Sequence, residues 1–158
     1  MEGFEIREAR AEDSGLILWF IKQLAIYEKL PHEVVADEAT IYNSIFVEKR
    51  AKVVFAVLNG KEIGFALYFF NFSTFMGRPG LYLEDLFVLE EYRGKGFGKD
   101  LLKHLAKIAV KEKCTRFEWI VLDWNTPSID FYKSLGAKPL EDWTVFRLQG
   151  EELERLAE

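Results

Sequence analysis

The apolar positions of this chain change period several times, and each change marks an element. Phe4 and Ile6 alternate with Glu5 and Arg7 as a short first strand. Leu16, Ile17, Phe20, Ile21 and Leu24 then recur at helical spacing, predicting a helix over about 13–30 that Pro31 ends. Ile41 and Ile45 share one face of a shorter helix over 37–46. Residues 53–58 read as a strand, Asn59-Gly60 as a tight turn with positive φ angles, and the aromatic run 62–72 as the returning strand. Residues 73–80, with Gly77, Pro79 and Gly80, read as a loop before a strand over 81–89. A polar, glycine-rich turn over 90–98 leads into a helix over 98–113, striped by Leu101, Leu102, Leu105, Ile108 and Ala109. A strand over 117–122 follows. Thr126 is placed to cap a helix whose first residue is Pro127 and which Gly136 closes. A final strand is expected over 143–148. The order, an antiparallel meander followed by strand–helix–strand–helix–strand, predicts an α/β (α+β) fold with a single mixed, mostly antiparallel β-sheet flanked by helices.

Composition narrows the class. The 158 residues are enough for one domain over 1–158, and 49% apolar content with 15% aromatic residues gives that domain a core and excludes a disordered chain. No apolar run reaches membrane-spanning length, and the first residues lack the apolar segment of a signal peptide, so a soluble, cytoplasmic protein with no membrane partner is expected. The single cysteine, Cys114, excludes an internal disulfide. His32 and His104 have no second ligand at metal spacing, so no metal is expected. A formal net charge of −5 disfavours nucleic acid and suits a cationic substrate.

The chemistry concentrates in Tyr92-Arg93-Gly94-Lys95-Gly96-Phe97-Gly98, between a predicted strand and an amphipathic helix. Glycines let the backbone turn sharply so that several N–H groups point at one spot, and the helix adds the positive end of its dipole. Such a turn cradles a phosphate. The P-loop pattern fails, because Asp100 stands where Ser or Thr belongs and Arg93 where the first glycine belongs. The dinucleotide fingerprint fails on spacing and on the missing acidic ribose partner. Arg-x-x-Gly-x-Gly, from Arg93 to Gly98, is the pattern that fits.

Those residues resemble the acetyl-CoA pyrophosphate loop of the GCN5-related N-acetyltransferases (GNAT). Leu81-Tyr82-Leu83-Glu84-Asp85-Leu86-Phe87-Val88, Leu122-Asp123-Trp124-Asn125 and Phe131-Tyr132-Lys133-Ser134-Leu135-Gly136-Ala137 resemble the diamine (spermidine/spermine) and thialysine branch of that superfamily. The resemblance runs from Phe4 to the end of the chain. It implies an acetyl-CoA-dependent N-acetyltransferase acting by direct transfer on a small polyamine, diamine or thialysine-like amine. It also implies a homodimer, for which Phe72, Phe75 and Trp143 are candidate interface aromatics. A peptide N-acetyltransferase and a non-catalytic CoA-binding module are the competing readings.

Direct transfer needs a base for the ammonium, whose pKa is about 10 by analogy with lysine, and an acid for the departing thiolate. By strand alternation Tyr82, Glu84, Leu86 and Val88 share one face, and Leu83, Asp85 and Phe87 the other. One of the two adjacent carboxylates is thus set beside the core, where pairing and function are both open readings. The resemblance makes Glu84 the base and a substrate contact, and leaves Asp85 a structural or substrate-side carboxylate. For Tyr132 the residues alone admit ordinary aromatic core; the resemblance makes it the acid. It further implies that the backbone of Leu86, Phe87 and Val88, one of whose N–H groups is the oxyanion donor, holds the cofactor. So do Arg93, Gly94, Lys95, Gly96, Phe97, Gly98 and Lys99, together with Asn125, Ser128 and Tyr132. Tyr27, Glu28, Glu118 and Trp119 fall at positions where the branch contacts its amine.

Overall fold

A computed structural model describes residues 2–158. They divide into two compact units, the first ending at Ile120 and the second spanning Val121–Glu158.

The first unit is a five-stranded sheet in sequence order. Its strands are β1 (Phe4–Glu8), β2 (Lys52–Leu58), β3 (Lys61–Ser73), β4 (Arg78–Val88) and β5 (Phe117–Glu118). All neighbours are antiparallel except β4 and β5, which are parallel. The helices are α1 (Ser14–Tyr27), α2 (Glu38–Tyr42, continued by a π-helical turn Asn43–Val47) and α3 (Phe97–Lys111).

Each sheet face carries part of the core. Ile17, Phe20 and Leu24 of α1 pack with Val53, Phe55 and Val57 of β2, Phe65 of β3 and Phe87 of β4. Phe4 lies opposite Leu58, on the face of Val54 and Ala56, and its ring lies tilted 5.1 Å from that of Phe97 at the start of α3. Leu101, Leu102, Leu105 and Ala109 of α3 are buried. Burying such side chains supplies roughly 1.5–3 kcal/mol each.

Several boundaries differ from the sequence reading. The first helix stops at Tyr27, short of Pro31. Lys29 takes φ 63°, its N–H donates to Ile26 O, and Leu30 N–H donates to Ala25 O. These two bonds close the helix as a Schellman motif, with lysine standing where glycine is usual. Lys113 (φ 61°) ends α3 in the same way, with Cys114 N–H on Ala109 O. The Asn59-Gly60 turn is as expected, with φ 50° and 79°.

The loop expected over 73–80 shrinks to a turn, because Phe72 pairs with Pro79 and Asn71 with Gly80. Proline is accommodated in β4 for a local reason. Pro79 O accepts from Thr115 N–H, so its ring nitrogen faces the same side, where β5 has not yet begun and no ladder bond is lost.

The second unit holds α4 (Thr126–Ser134) and α5 (Gly150–Leu156). Asn125, rather than Thr126, caps α4: its side-chain oxygen accepts from Ser128 N–H. Gly136 (φ 91°) closes the helix as expected. The strand expected over 143–148 is absent. Within this unit, taken by itself, no second strand is present for these residues to pair with.

Candidate active site

The site in the first unit is organised by a defect in β4. Leu67 lies opposite Asp85, but Tyr68 lies opposite Leu83, so Glu84 is an extra residue with no partner on β3. This β-bulge resets the alternation. Leu81 and Leu83 share the face of Tyr68 and Phe70, whereas Asp85 and Phe87 share the opposite, α1-side face with Leu67 and Phe65. The uninterrupted alternation expected for residues 81–89 is therefore corrected. Glu84 is exposed at the bulge, and Asp85 is turned toward α1.

Glu28 joins these two from the end of α1. Burial, then the charges of Glu84 and Glu28, push the Asp85 carboxyl up to about 7. Burial, then Glu84, raises Glu28 as well. Among the described residues no cation forms an ion pair with Glu28, Glu84 or Asp85. Uncompensated carboxylates of this kind favour a cationic ligand.

Beyond Tyr82 no strand of the first unit pairs with the outer edge of β4. Leu89 N–H donates to Ile63 O, toward β3. By alternation Phe87 also points its backbone to β3, and Leu86 and Val88 present theirs to the outer edge. Phe87 is core, with its side chain in the α1-side cluster.

The glycine-rich turn follows. Gly94 and Gly96 hold φ 74° and 91°, and a Cβ on either would meet nothing within 4 Å, so the backbone is bare on its outer side. Asp100 N–H donates to Gly96 O and opens the intrahelical ladder, leaving the N–H groups of Phe97, Gly98 and Lys99 without an intrahelical acceptor. This is the chemistry of an anion cradle. Lys95 Nζ donates to Glu91 O at 3.3 Å, and Lys61 and Lys95 flank the Tyr92 ring.

The Arg93 side chain is engaged elsewhere. Its Nε donates to Val88 O at 2.8 Å, and its guanidinium lies 4.7 Å from the Tyr27 ring and 5.0 Å from the Phe87 ring. It therefore ties the turn to the end of α1 and of β4.

Glu118 pairs with Tyr82 across the sheet and is bound by Arg116, Nε to Oε1, at 2.6 Å. Trp119 packs edge-on against Phe117 at 5.0 Å. The sequence reading passed over Arg116, which lies just before β5 and two residues from Glu118, the spacing that puts two side chains of extended backbone on one face.

In the second unit Asn125 is buried and spends its side-chain oxygen on the Ser128 N–H. Tyr132 is half-buried on α4, its ring 5.6 Å from Phe131. Among the described residues no cluster of His, Cys, Asp and Glu is able to hold a metal, and no helix is long and apolar enough to cross a membrane.

A bulged fourth strand, an outer edge that no first-unit strand covers beyond Tyr82 and a glycine turn at a helix mouth define an acyl-transfer scaffold. The chain belongs to the acetyltransferase (GNAT) family, whose model matches residues 17–137, and it is an N-acetyltransferase. Members of that family use acetyl-CoA as cosubstrate.

Among its relatives, the chain is 38% identical to the thialysine N-epsilon-acetyltransferase of Mus musculus, covering 99% of both chains. It is 32% identical to an L-ornithine N5-acetyltransferase of Arabidopsis thaliana, covering 96% of this chain and 86% of the relative. A solved integron cassette protein of V. cholerae superposes with a TM-score of 0.83 at 32% identity over 99% of each chain.

Proposed function

We propose that this chain transfers the acetyl group of acetyl-CoA directly to a small polyamine, diamine or thialysine-like amine within a ternary complex. The observation that carries the reading is the set of unpaired carboxylates, Glu28, Glu84 and Asp85, at the β4 bulge. The relatives named for thialysine and ornithine support an amine acceptor. The family match crosses the boundary after Ile120, which supports one acetyltransferase domain over 1–158.

The bare backbone at Gly94 and Gly96 and the helix-mouth amides of Phe97, Gly98 and Lys99 fit a pyrophosphate. Arg93 serves that turn by bracing it, and Lys95 by its charge. The outward amides of Leu86 and Val88 fit an extended amide-bearing arm, and Asn125, Ser128 and Tyr132 are the second unit's contributors. When bound, acetyl-CoA supplies an activated acetyl thioester.

Glu84, exposed at the bulge, accepts the ammonium proton directly or through water. Asp85 and Glu28 hold the cation, with the Tyr27 ring beside them. A β4 outer-edge amide, Leu86 or Val88, stabilises developing oxyanion charge. Tyr132 donates its phenolic proton to the departing thiolate. Glu118 and Trp119 line the amine side. We propose a homodimer, supported in the first unit by exposed Phe72 and Phe75 and in the second by exposed Trp143. The reading places the enzyme in the cytoplasm.

The test is thiol release from acetyl-CoA by purified protein across spermidine, spermine, putrescine, thialysine, lysine and peptide amines. Turnover confined to peptides, or none with any acceptor, would overturn the reading.

A further inference from the structure

On the α1-side face of the sheet lies an ion pair that the fold does not use for its core. Tyr82 is opposite Phe69 on β3 and opposite Glu118 on β5, and Leu67 is opposite Asp85. Leu67 and Phe69 point the same way, so Asp85, Tyr82 and Glu118 stand on one face. Arg116 stands there too. Its Cγ is 3.0 Å from where a Cβ on Gly80 would be, and Gly80 shares this face with Asn71. Glycine at position 80 thus makes room for the arginine stem.

The guanidinium is held in a fixed pose. Nη2 donates to Phe72 O at 2.9 Å, and Nε meets Glu118 Oε1 at 2.6 Å. The pair nevertheless keeps 42% of the Arg116 side chain and 33% of the Glu118 side chain accessible. It presents one fixed cation and one fixed anion side by side to solvent, on the floor that leads to the unpaired carboxylates.

We infer that Arg116 and Glu118 read the α-carboxylate and α-ammonium of an amino-acid acceptor, whose side-chain amine extends to Asp85 and Glu84 at the bulge. This rests on the amine-acetyltransferase reading and narrows it from amines in general to α-amino acids bearing a terminal amine.

The dimensions agree. Tyr82 and Asp85 lie about 6.8 Å apart along the strand, because two β3 residues separate their partners, and Glu118 lies about 4.8 Å across from Tyr82. The backbones of Glu118 and Asp85 are then about 8 Å apart. The α-carbon and terminal nitrogen of an extended lysine-like side chain are about 6 Å apart, five staggered bonds of about 1.5 Å. Side chains reaching inward from both ends close the difference.

The charges agree as well. A zwitterionic head exchanges one ion pair for two. A diamine of the same length keeps the ammonium that Glu118 reads but brings no carboxylate to Arg116, and sets a second positive charge beside the guanidinium. Arginine's planar fork also matches a carboxylate in a way that lysine's ammonium does not.

The experiment compares lysine with 1,5-diaminopentane, which is lysine without its carboxylate, and thialysine with its decarboxylated counterpart. The wild-type enzyme is expected to favour each amino acid in kcat/KM by at least about tenfold, the scale of a hydrogen bond to a charged group. In Arg116→Gln that ratio collapses by at least about tenfold, and Arg116→Lys retains part of it. Because the ratio is taken within one variant, a general loss of folded protein cancels. Equal or better use of the diamines by wild type, or a fall in Arg116→Gln that leaves the ratio intact, overturns this inference and leaves amine acetylation standing. Absence of thiol release with every amine overturns both.

Discussion

Leu83 and Asp85 are two residues apart on one strand yet face opposite sides of the sheet, because Glu84 between them is a bulge. That single extra residue sends a leucine to one face and a carboxylate to the other. It also projects Glu84 itself out of the ladder. The placing of Glu84 and Asp85 on different sides of the strand follows from this break in period.

Asp85 gives the first prediction. Its folded pKa, about 7, is raised above the unfolded value of about 3.9, so between those limits the folded state binds the extra proton. Its contribution to stability is therefore largest at low pH and declines as pH rises toward 7. Asp85→Asn removes this penalty, and its stability relative to wild type should increase by about 1–3 kcal/mol between pH 5 and pH 8. In activity the sign is opposite: the wild-type rate should climb as Asp85 ionises near 7, and the asparagine variant should lose that limb. Urea melts and kcat/KM profiles across the range check both.

Tyr132→Phe keeps the ring that lies 5.6 Å from Phe131 and removes only the hydroxyl. We expect ordinary folding by circular dichroism and a loss of about 100-fold or more in kcat, the usual scale for a general acid. Wild-type turnover in this variant would remove the residue from the chemistry.

Gly96→Ala tests the turn. A Cβ there meets no neighbour, but the residue must hold φ 91°, which costs an alanine about 1–2 kcal/mol. The new methyl also stands on the bare side of the backbone. The KM for acetyl-CoA should rise about tenfold or more, with a smaller change in melting temperature than a core truncation would give.

Asp13 is the structural counterpart. Its carboxylate takes both Arg7 nitrogens at 2.8 and 3.0 Å and the Arg10 N–H at 2.7 Å, and Glu62 takes Arg7 from β3. Hydrogen bonding to Arg7 holds both carboxyls below their usual values. Depressed carboxylates stabilise above the unfolded pKa of about 4 and lose that stabilisation as pH falls through the folded values. Asp13→Ala should cost about 3 kcal/mol at neutral pH and flatten the acid limb of the stability curve, measured by urea denaturation.

Most elements were legible from the period of the apolar residues, and the sharp turn before α3 from its glycines. Helix ends were less so. Lys29 and Lys113 adopt the left-handed conformation without being glycine, and the bonds that hold them there are made by backbone atoms that no side chain advertises. Residues 143–148 show the limit of propensity, since a strand is made by pairing, which a pattern of side chains does not supply. The bulge left a faint trace. Apolar positions run odd at Leu81 and Leu83 and then include even positions, Leu86 and Val88, but residues buried on both faces blur that change of parity. Hence the adjacent carboxylates could be found in the sequence, and which of them faced the core could not.

Arg93 has a consequence for enzymology. One guanidinium clasps Tyr27, Phe87 and the carbonyl of Val88, so the glycine turn and the end of α1 share a single bracket. Under the proposed function, kinetic constants for the two substrates are then mechanically linked at that residue, and an Arg93 defect seen in one is to be separated from direct contact with the other by titrating both together.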